Sequence, residues 1–173
     1  MIHRNAMIAL AAFAASCTTM GPGSQPTAVA NLEATKGNSV TGRATFVQEG
    51  DGVHVKVSLS GLPPNSEHGF HVHEKGDCSS GDGMSTGGHF NPDGKPHGPQ
   101  AGEHHAGDMP GLMADSYGNV ETSFVLHGVT VGGGGADLVG RGLIVHRDPD
   151  DYKTQPTGNS GPRVACGVIV KTH

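Results

Sequence analysis

The chain has 173 residues, 34% of them hydrophobic, which suits one domain with a single core. The 29 glycines and 11 prolines, with no tryptophan, argue against long helices and for many short strands joined by turns. A formal charge of −5 without any lysine/arginine run excludes a nucleic-acid surface as the main business of the chain.

In chain order, the first feature is a targeting segment. His3 and Arg4 precede an apolar run, residues 6–15, too short to span a bilayer but of the length of a signal-peptide core. Small residues directly before Cys17 are similar to a bacterial lipoprotein cleavage site, with Cys17 as the acylated residue. Ala14 departs from that pattern, which favours leucine there, and ordinary cleavage near Ala12-Phe13-Ala14 is the alternative. Export to a periplasmic or other extracytoplasmic compartment is expected either way. The chain then divides into a signal peptide of lipoprotein type (1–16), a flexible tether (17–30) and one functional domain (31–173). A lipid on Cys17 would tether that domain to a membrane. It would also leave Cys78 and Cys166 able to pair in an oxidising compartment, the alternative being two free thiols. Closing so long a loop would contribute roughly 4–5 kcal/mol by chain entropy.

The strand signals follow. Val53, Val55, Val57 and Leu59 alternate with His54, Lys56, Ser58 and Ser60, the period of a half-buried strand. After the turn GLPPNS, Phe70 and Val72 alternate with His71 and His73. If the apolar pair faces the core, the two histidines face outward together. Residues 75–110 have no periodicity, and a structureless loop that long is uncommon unless functional. VETSFVL, RGLIVH and RVACGVIV read as further strands, with a glycine-rich connection (GVTVGGGGADLVG) and a second long loop (RDPDDYKTQPTGNSGP) between them. These elements predict an all-β sandwich or barrel with two long loops at one end.

Histidine placement carries the chemistry. His71 and His73 form a His-x-His pair. His89 and His97 lie in GGHFNPDGKPHG, His105 opens HAGD, which ends on Asp108, and His146 ends the run GLIVH. Neutral imidazole gives one nitrogen to a metal and keeps an N–H for a supporting partner. Six imidazoles and a carboxylate exceed one tetrahedral site, so two metals, or one metal with surplus ligands, are implied.

GFHVHEKGDC, GGHFNPDGKPHG, HHAGD, LIVHRDPDD and GNSGPRVACGV, in that order, closely resemble copper/zinc superoxide dismutase of the exported bacterial type, over about residues 28–172. The resemblance implies a flattened eight-stranded antiparallel Greek-key β-barrel with the metals beneath its two long loops, and one copper and one zinc per subunit. It implies copper on His71, His73, His89 and His146, and zinc on His89, His97, His105 and Asp108, so that His89 is shared. Asp150 would bridge a copper histidine and a zinc histidine. Arg163 would attract and orient superoxide beside the copper, and His89 could supply a proton as peroxide forms. Cys78 and Cys166 would form the disulfide that ties the metal loop to the last strand. Four imidazoles suit a copper that must cycle between two oxidation states, and three imidazoles with one carboxylate suit a closed zinc site.

Other readings stay beside this one. A periplasmic metal buffer would need no arginine at an open copper position. Asp148 and Asp151 compete with Asp150, Lys153 is a solvated lysine or a weak steering charge, and His104 lies outside the HAGD spacing as a spectator. Met84 is a loop side chain that could touch copper. The protein is expected to act as a monomer or homodimer; no interface is legible.

Overall fold

The computed structural model describes residues 25–173. The expected signal peptide and Cys17 lie outside these residues. Ten strands make up the fold: β1 (Thr27–Ala34), β2 (Thr41–Glu49), β3 (Gly52–Ser60), β4 (Glu67–His68), β5 (Phe70–His73), β6 (Leu112–Met113), β7 (Val120–His127), β8 (Gly142–His146), β9 (Arg163–Val168) and β10 (Val170–Lys171). The described residues contain no α-helix, only a 3-10 turn at Met84–Thr86.

Eight strands form one antiparallel sheet in the order β5-β8-β9-β1-β2-β3-β7, with β10 also paired to β1, and β4 and β6 make a separate two-stranded piece. β1, β2 and β3 follow one another as a meander. β7 adds beside β3, and the chain then crosses to the far side of β1 through β8 and β9, the long return of a Greek key. The sheet curls over one core, as the β-barrel reading expected.

Periodicity explains the strands. Along β3 the buried residues are Val53, Val55, Val57 and Leu59, while Lys56, Ser58 and Ser60 are exposed. Phe46, Phe70, Leu32, Leu112, Leu126, Leu143 and Ile169 are fully buried in the same cluster. A fully buried leucine or phenylalanine contributes about 1.5–3 kcal/mol by transfer from water.

Residues 27–30 correct the tether boundary drawn at residue 30. They belong to β1, pair with β2, and bury Ala28 and Ala30. Alanine is too weakly hydrophobic to announce a strand by itself, and it is the pairing partner that orders this segment.

β5 sets the stage for the metal centre. It pairs with β8 in the register His71↔Ile144 and His73↔Gly142, which brings His146 beside the His-x-His pair. Its other edge is closed by the long loop between β5 and β6. The Val72 N–H donates to the Gly107 carbonyl, the Phe90 N–H to the Val72 carbonyl and the Glu74 N–H to the Gly88 carbonyl. These bonds satisfy an edge that would otherwise template foreign strands. They also place His89 and Asp108 against β5, opposite His73 and His71. The histidines of β5 do point away from the core, but both are completely buried rather than exposed, because this loop and the β8–β9 loop cover that face.

Candidate metal centre

Two groups of side chains converge. His71, His73, His89 and His146 offer ligand atoms that all lie within 4.8 Å of one another, and so do those of His89, His97, His105 and Asp108. All seven residues are buried, and His89 belongs to both groups. The six histidines and the aspartate singled out in the sequence are therefore brought together.

Hydrogen bonding decides which nitrogen each ring has to spare. His73 Nδ1 lies 2.9 Å from the Gly87 carbonyl and His146 Nδ1 lies 3.1 Å from the Gly161 carbonyl. Carbonyls only accept, so both Nδ1 atoms carry the proton and both Nε2 atoms are bare. Those two Nε2 atoms face each other at 3.4 Å. His71 Nε2 donates to Asp150 Oδ2 at 2.7 Å, which leaves His71 Nδ1 bare. The buried ring nitrogens without any hydrogen-bond partner are His71 Nδ1, His89 Nε2 and His97 Nδ1. Buried polar atoms are rarely left without a partner, and a cation in each group would relieve them: His71 Nδ1 and His89 Nε2 belong to the first group and His97 Nδ1 to the second.

In the second group, Asp108 Oδ1 lies 2.8 Å from His89 Nδ1 and 3.3 Å from His105 Nδ1, and Asp108 Oδ2 lies 3.0 Å from His97 Nδ1. Asp108 Oδ2 also accepts the N–H groups of Gly98 and His105. Asp150 links the groups: its Oδ2 takes the proton of His71, and its Oδ1 takes those of His97 Nε2 at 2.9 Å and of the Tyr152 backbone at 2.7 Å. Asp148 instead pairs with Arg147, and Asp151 caps Lys153 and Thr154. Of these three acids, only Asp150 bonds a histidine of each group.

Electrostatics follow burial in the metal-free protein. Burial pushes His71 down to about 4, against the bond to Asp150, and pushes His146 down to about 3. Burial likewise holds His73 well below the usual histidine value and lowers His105. His97 goes the other way. Burial opposes its charge, but Asp108 and Asp150 outweigh that and hold it up at about 9. Burial opposes charge on both carboxylates too, yet their histidine partners keep them well below the usual carboxylate range.

Arg163 stands on β9 beside this centre. Its Nη1 donates to the Gly83 carbonyl at 2.6 Å and to Thr86 Oγ1 at 2.8 Å, and its Nη2 to the Gly87 carbonyl at 2.7 Å. Gly87 thus receives both Arg163 and His73. With Lys36, Asp82 and Met84, Arg163 lines a cavity of about 400 Å³. Cys78 and Cys166 form a disulfide, fastening this loop to β9 three residues beyond Arg163. Lys153 is exposed, and His104 bonds only the Gly102 carbonyl, outside both groups. Met84 is 60% exposed and belongs to neither group.

Sequence reasoning missed three contributors in the second long loop. Gly158 packs against Asp150 and His97, Tyr152 accepts the Gly111 N–H, and Gln155 bonds the main chain of His97. None carries a local signal, since each acts on a residue distant in the chain.

A Greek-key β-sheet with two buried ligand groups joined by one imidazole defines a two-metal protein. Residues 40–169 match the family described as copper/zinc superoxide dismutase. The Cu-Zn superoxide dismutase 2 of Aquifex aeolicus is 44% identical over 135 residues, covering 75% of this chain and 79% of that relative. The extracellular Cu-Zn superoxide dismutase of Drosophila melanogaster is 42% identical over 139 residues, 75% of each. Among solved structures, the clock protein EA4 aligns with a TM-score of 0.77 at 38% identity, covering 88% of this chain and 99% of that one. A superoxide-dismutase-like protein from Bacillus subtilis aligns with a TM-score of 0.74 at 34% identity, covering 82% and 97%. The chain belongs to the copper/zinc superoxide dismutase family. It is an oxidoreductase that converts two superoxide anions and two protons to oxygen and hydrogen peroxide, with copper and zinc as cofactors.

Proposed function

We propose that His71 Nδ1, His73 Nε2, His89 Nε2 and His146 Nε2 hold the copper, and that His89 Nδ1, His97 Nδ1, His105 Nδ1 and one oxygen of Asp108 hold the zinc. The observation that carries this reading is the facing pair of bare nitrogens, His73 Nε2 and His146 Nε2, 3.4 Å apart with no proton available to either. The orphaned Nδ1 of His71 and Nε2 of His89 support it from the same side. Four imidazoles fit copper, and three imidazoles with a carboxylate fit zinc.

Copper, when bound, supplies one-electron redox chemistry, while zinc supplies fixed charge and holds the loop. The chain's own residues do the rest. Arg163 is held rigid by Gly83, Thr86 and Gly87, so its guanidinium offers an anion a pre-oriented charge at no reorganisation cost. His89 Nε2 is buried and unpartnered, and it is the atom at which the shared ring can take up a proton and pass it on to peroxide. Asp150 keeps the N–H of His71 and of His97 turned toward itself, which fixes the tautomer of each ring.

The compartment is read as extracytoplasmic, because disulfides form and persist mainly in oxidising surroundings and one relative is named as extracellular. A periplasmic lipoprotein tethered through Cys17 is the specific form of that reading. Its active unit is a monomer or homodimer.

Metal analysis combined with superoxide consumption tests the assignment. His146→Ala should lose copper and activity while keeping zinc, and Arg163→Ala should keep both metals but react more slowly at low salt. Unchanged copper and rate in His146→Ala would overturn the copper set.

A further inference from the structure

His97 is held almost entirely by the second long loop. It has four polar atoms: backbone N and O, and two ring nitrogens. Its Nε2 bonds Asp150 Oδ1 at 2.9 Å. Its backbone N–H donates to Gln155 Oε1 at 2.8 Å, and its carbonyl accepts from Gln155 Nε2 at 2.9 Å. That leaves Nδ1 for the second ligand group, where it faces Asp108 Oδ2 at 3.0 Å. The planar carboxamide of Gln155 thus pairs with both backbone groups of His97, as a neighbouring strand would. Gln155 lies at the surface, 58 residues from His97 in sequence, yet its amide is spent on this one residue apart from a 3.3 Å contact to the Lys153 carbonyl.

We infer that Gln155 is a positioning residue for zinc: it fixes the main chain of His97 so that the ring delivers Nδ1 to the site. The inference rests on the assignment of His97 to zinc. Asp150 orients the ring from its tip, and Gln155 orients it from its root. Two constraints at opposite ends of one side chain leave the imidazole little freedom, so less ordering entropy remains to be lost when zinc binds. The same loop is anchored at a second point, where the Tyr152 hydroxyl accepts the Gly111 N–H at 2.7 Å. The loop that carries Asp150 and the loop that carries the zinc ligands therefore order one another, and Gln155 is the contact that touches a ligand directly.

Gln155→Met keeps the length of the side chain and removes both bonds. Gln155→Glu keeps an acceptor for the His97 N–H but sets a carboxylate against the His97 carbonyl. Zinc and copper dissociation constants are measured separately on the full mature protein by chelator competition. Alteration of a group that orients a ligand typically costs 10–100-fold in metal affinity, so both variants should bind zinc about 10-fold more weakly. Copper affinity should change much less. Amide exchange at His97 in the metal-free protein should accelerate in Gln155→Met. Zinc binding unchanged in both variants would overturn the inference, as would equal losses of zinc and copper, which would make Gln155 a general stabiliser. His97→Ala separates the two readings. Retained zinc in that variant refutes the ligand assignment, whereas lost zinc in His97→Ala with wild-type affinity in both Gln155 variants refutes only the role of Gln155.

Discussion

Four histidines of the candidate metal centre, His71, His73, His97 and His146, each have one nitrogen tied to the protein by an oxygen that only accepts, with the other turned to a ligand group. For His73 and His146 the oxygens are glycine carbonyls, and for His71 and His97 they belong to Asp150. Gly158 makes the Asp150 arrangement possible. It sits at φ +63°, a left-handed conformation costly for other residues, and a Cβ there would run into Asp150 Oδ1 and lie 2.5 Å from His97 Nε2. Gly158→Ala must therefore push the carboxylate away from both rings. On the proposed assignment it should weaken both metals, by about 10-fold or more, since Asp150 bonds a histidine of each group. Metal retention during dialysis against a chelator measures this; retention equal to wild type would mean that the loop accommodates the methyl group and that Asp150 is not held by this contact.

At the scale of elements, the loop between β5 and β6 depends on two anchors, β5 hydrogen bonding at one side and the Cys78–Cys166 bridge at the other. The bridge closes a sequence separation of 88 residues, for which chain entropy gives about 4–5 kcal/mol. Reduction should lower unfolding stability by that order, read as a fall in the denaturant midpoint. It should also slow the enzyme, because the Gly83 and Gly87 carbonyls that hold Arg163 lie in the loop that Cys78 anchors. A reduced protein with unchanged kcat/KM would show that hydrogen bonds alone hold Arg163. The elements themselves were legible where a period was strong: Val53 to Leu59 announced β3, and the candidate ligands were legible because histidine spacing is a local signal. β1 and β2 were not read, since Ala28 and Ala30 in β1, and Ala44 and Phe46 in β2, give too faint an alternation without their pairing partners. The burial of His71 and His73 was hidden because it depends on loops that have no period. Gln155 was hidden because nothing in TQPTG names a partner 58 residues upstream.

The whole molecule couples these ionisable groups to folding. In the metal-free protein His71 and His146 stay neutral down to about pH 4 and about pH 3, whereas an unfolded histidine takes its proton near 6.5. Between pH 6.5 and 4 the unfolded chain thus binds more protons at these two positions, and stability falls as the pH is lowered. His73, lowered in the same sense, adds to that slope. His97 acts on the alkaline side. It holds its proton up to about 9 when folded, so its contribution is complete below 6.5 and is lost as the pH rises through 9. Asp108 and Asp150, both depressed, contribute fully above the ordinary carboxylate range and lose that contribution only as the pH falls through their lowered values. The metal-free protein should therefore be most stable near pH 6.5, with a lower Tm toward both pH 4 and pH 9. On the proposed assignment, bound zinc would take the place of the proton on His97 Nδ1 and remove the alkaline limb, while acid would still displace the metals because their ligands must be deprotonated. Thermal unfolding from pH 4 to pH 9, with and without metals, checks both limbs. A metal-free Tm that stays level between pH 6.5 and 9 would show that His97 does not carry its proton between Asp108 and Asp150.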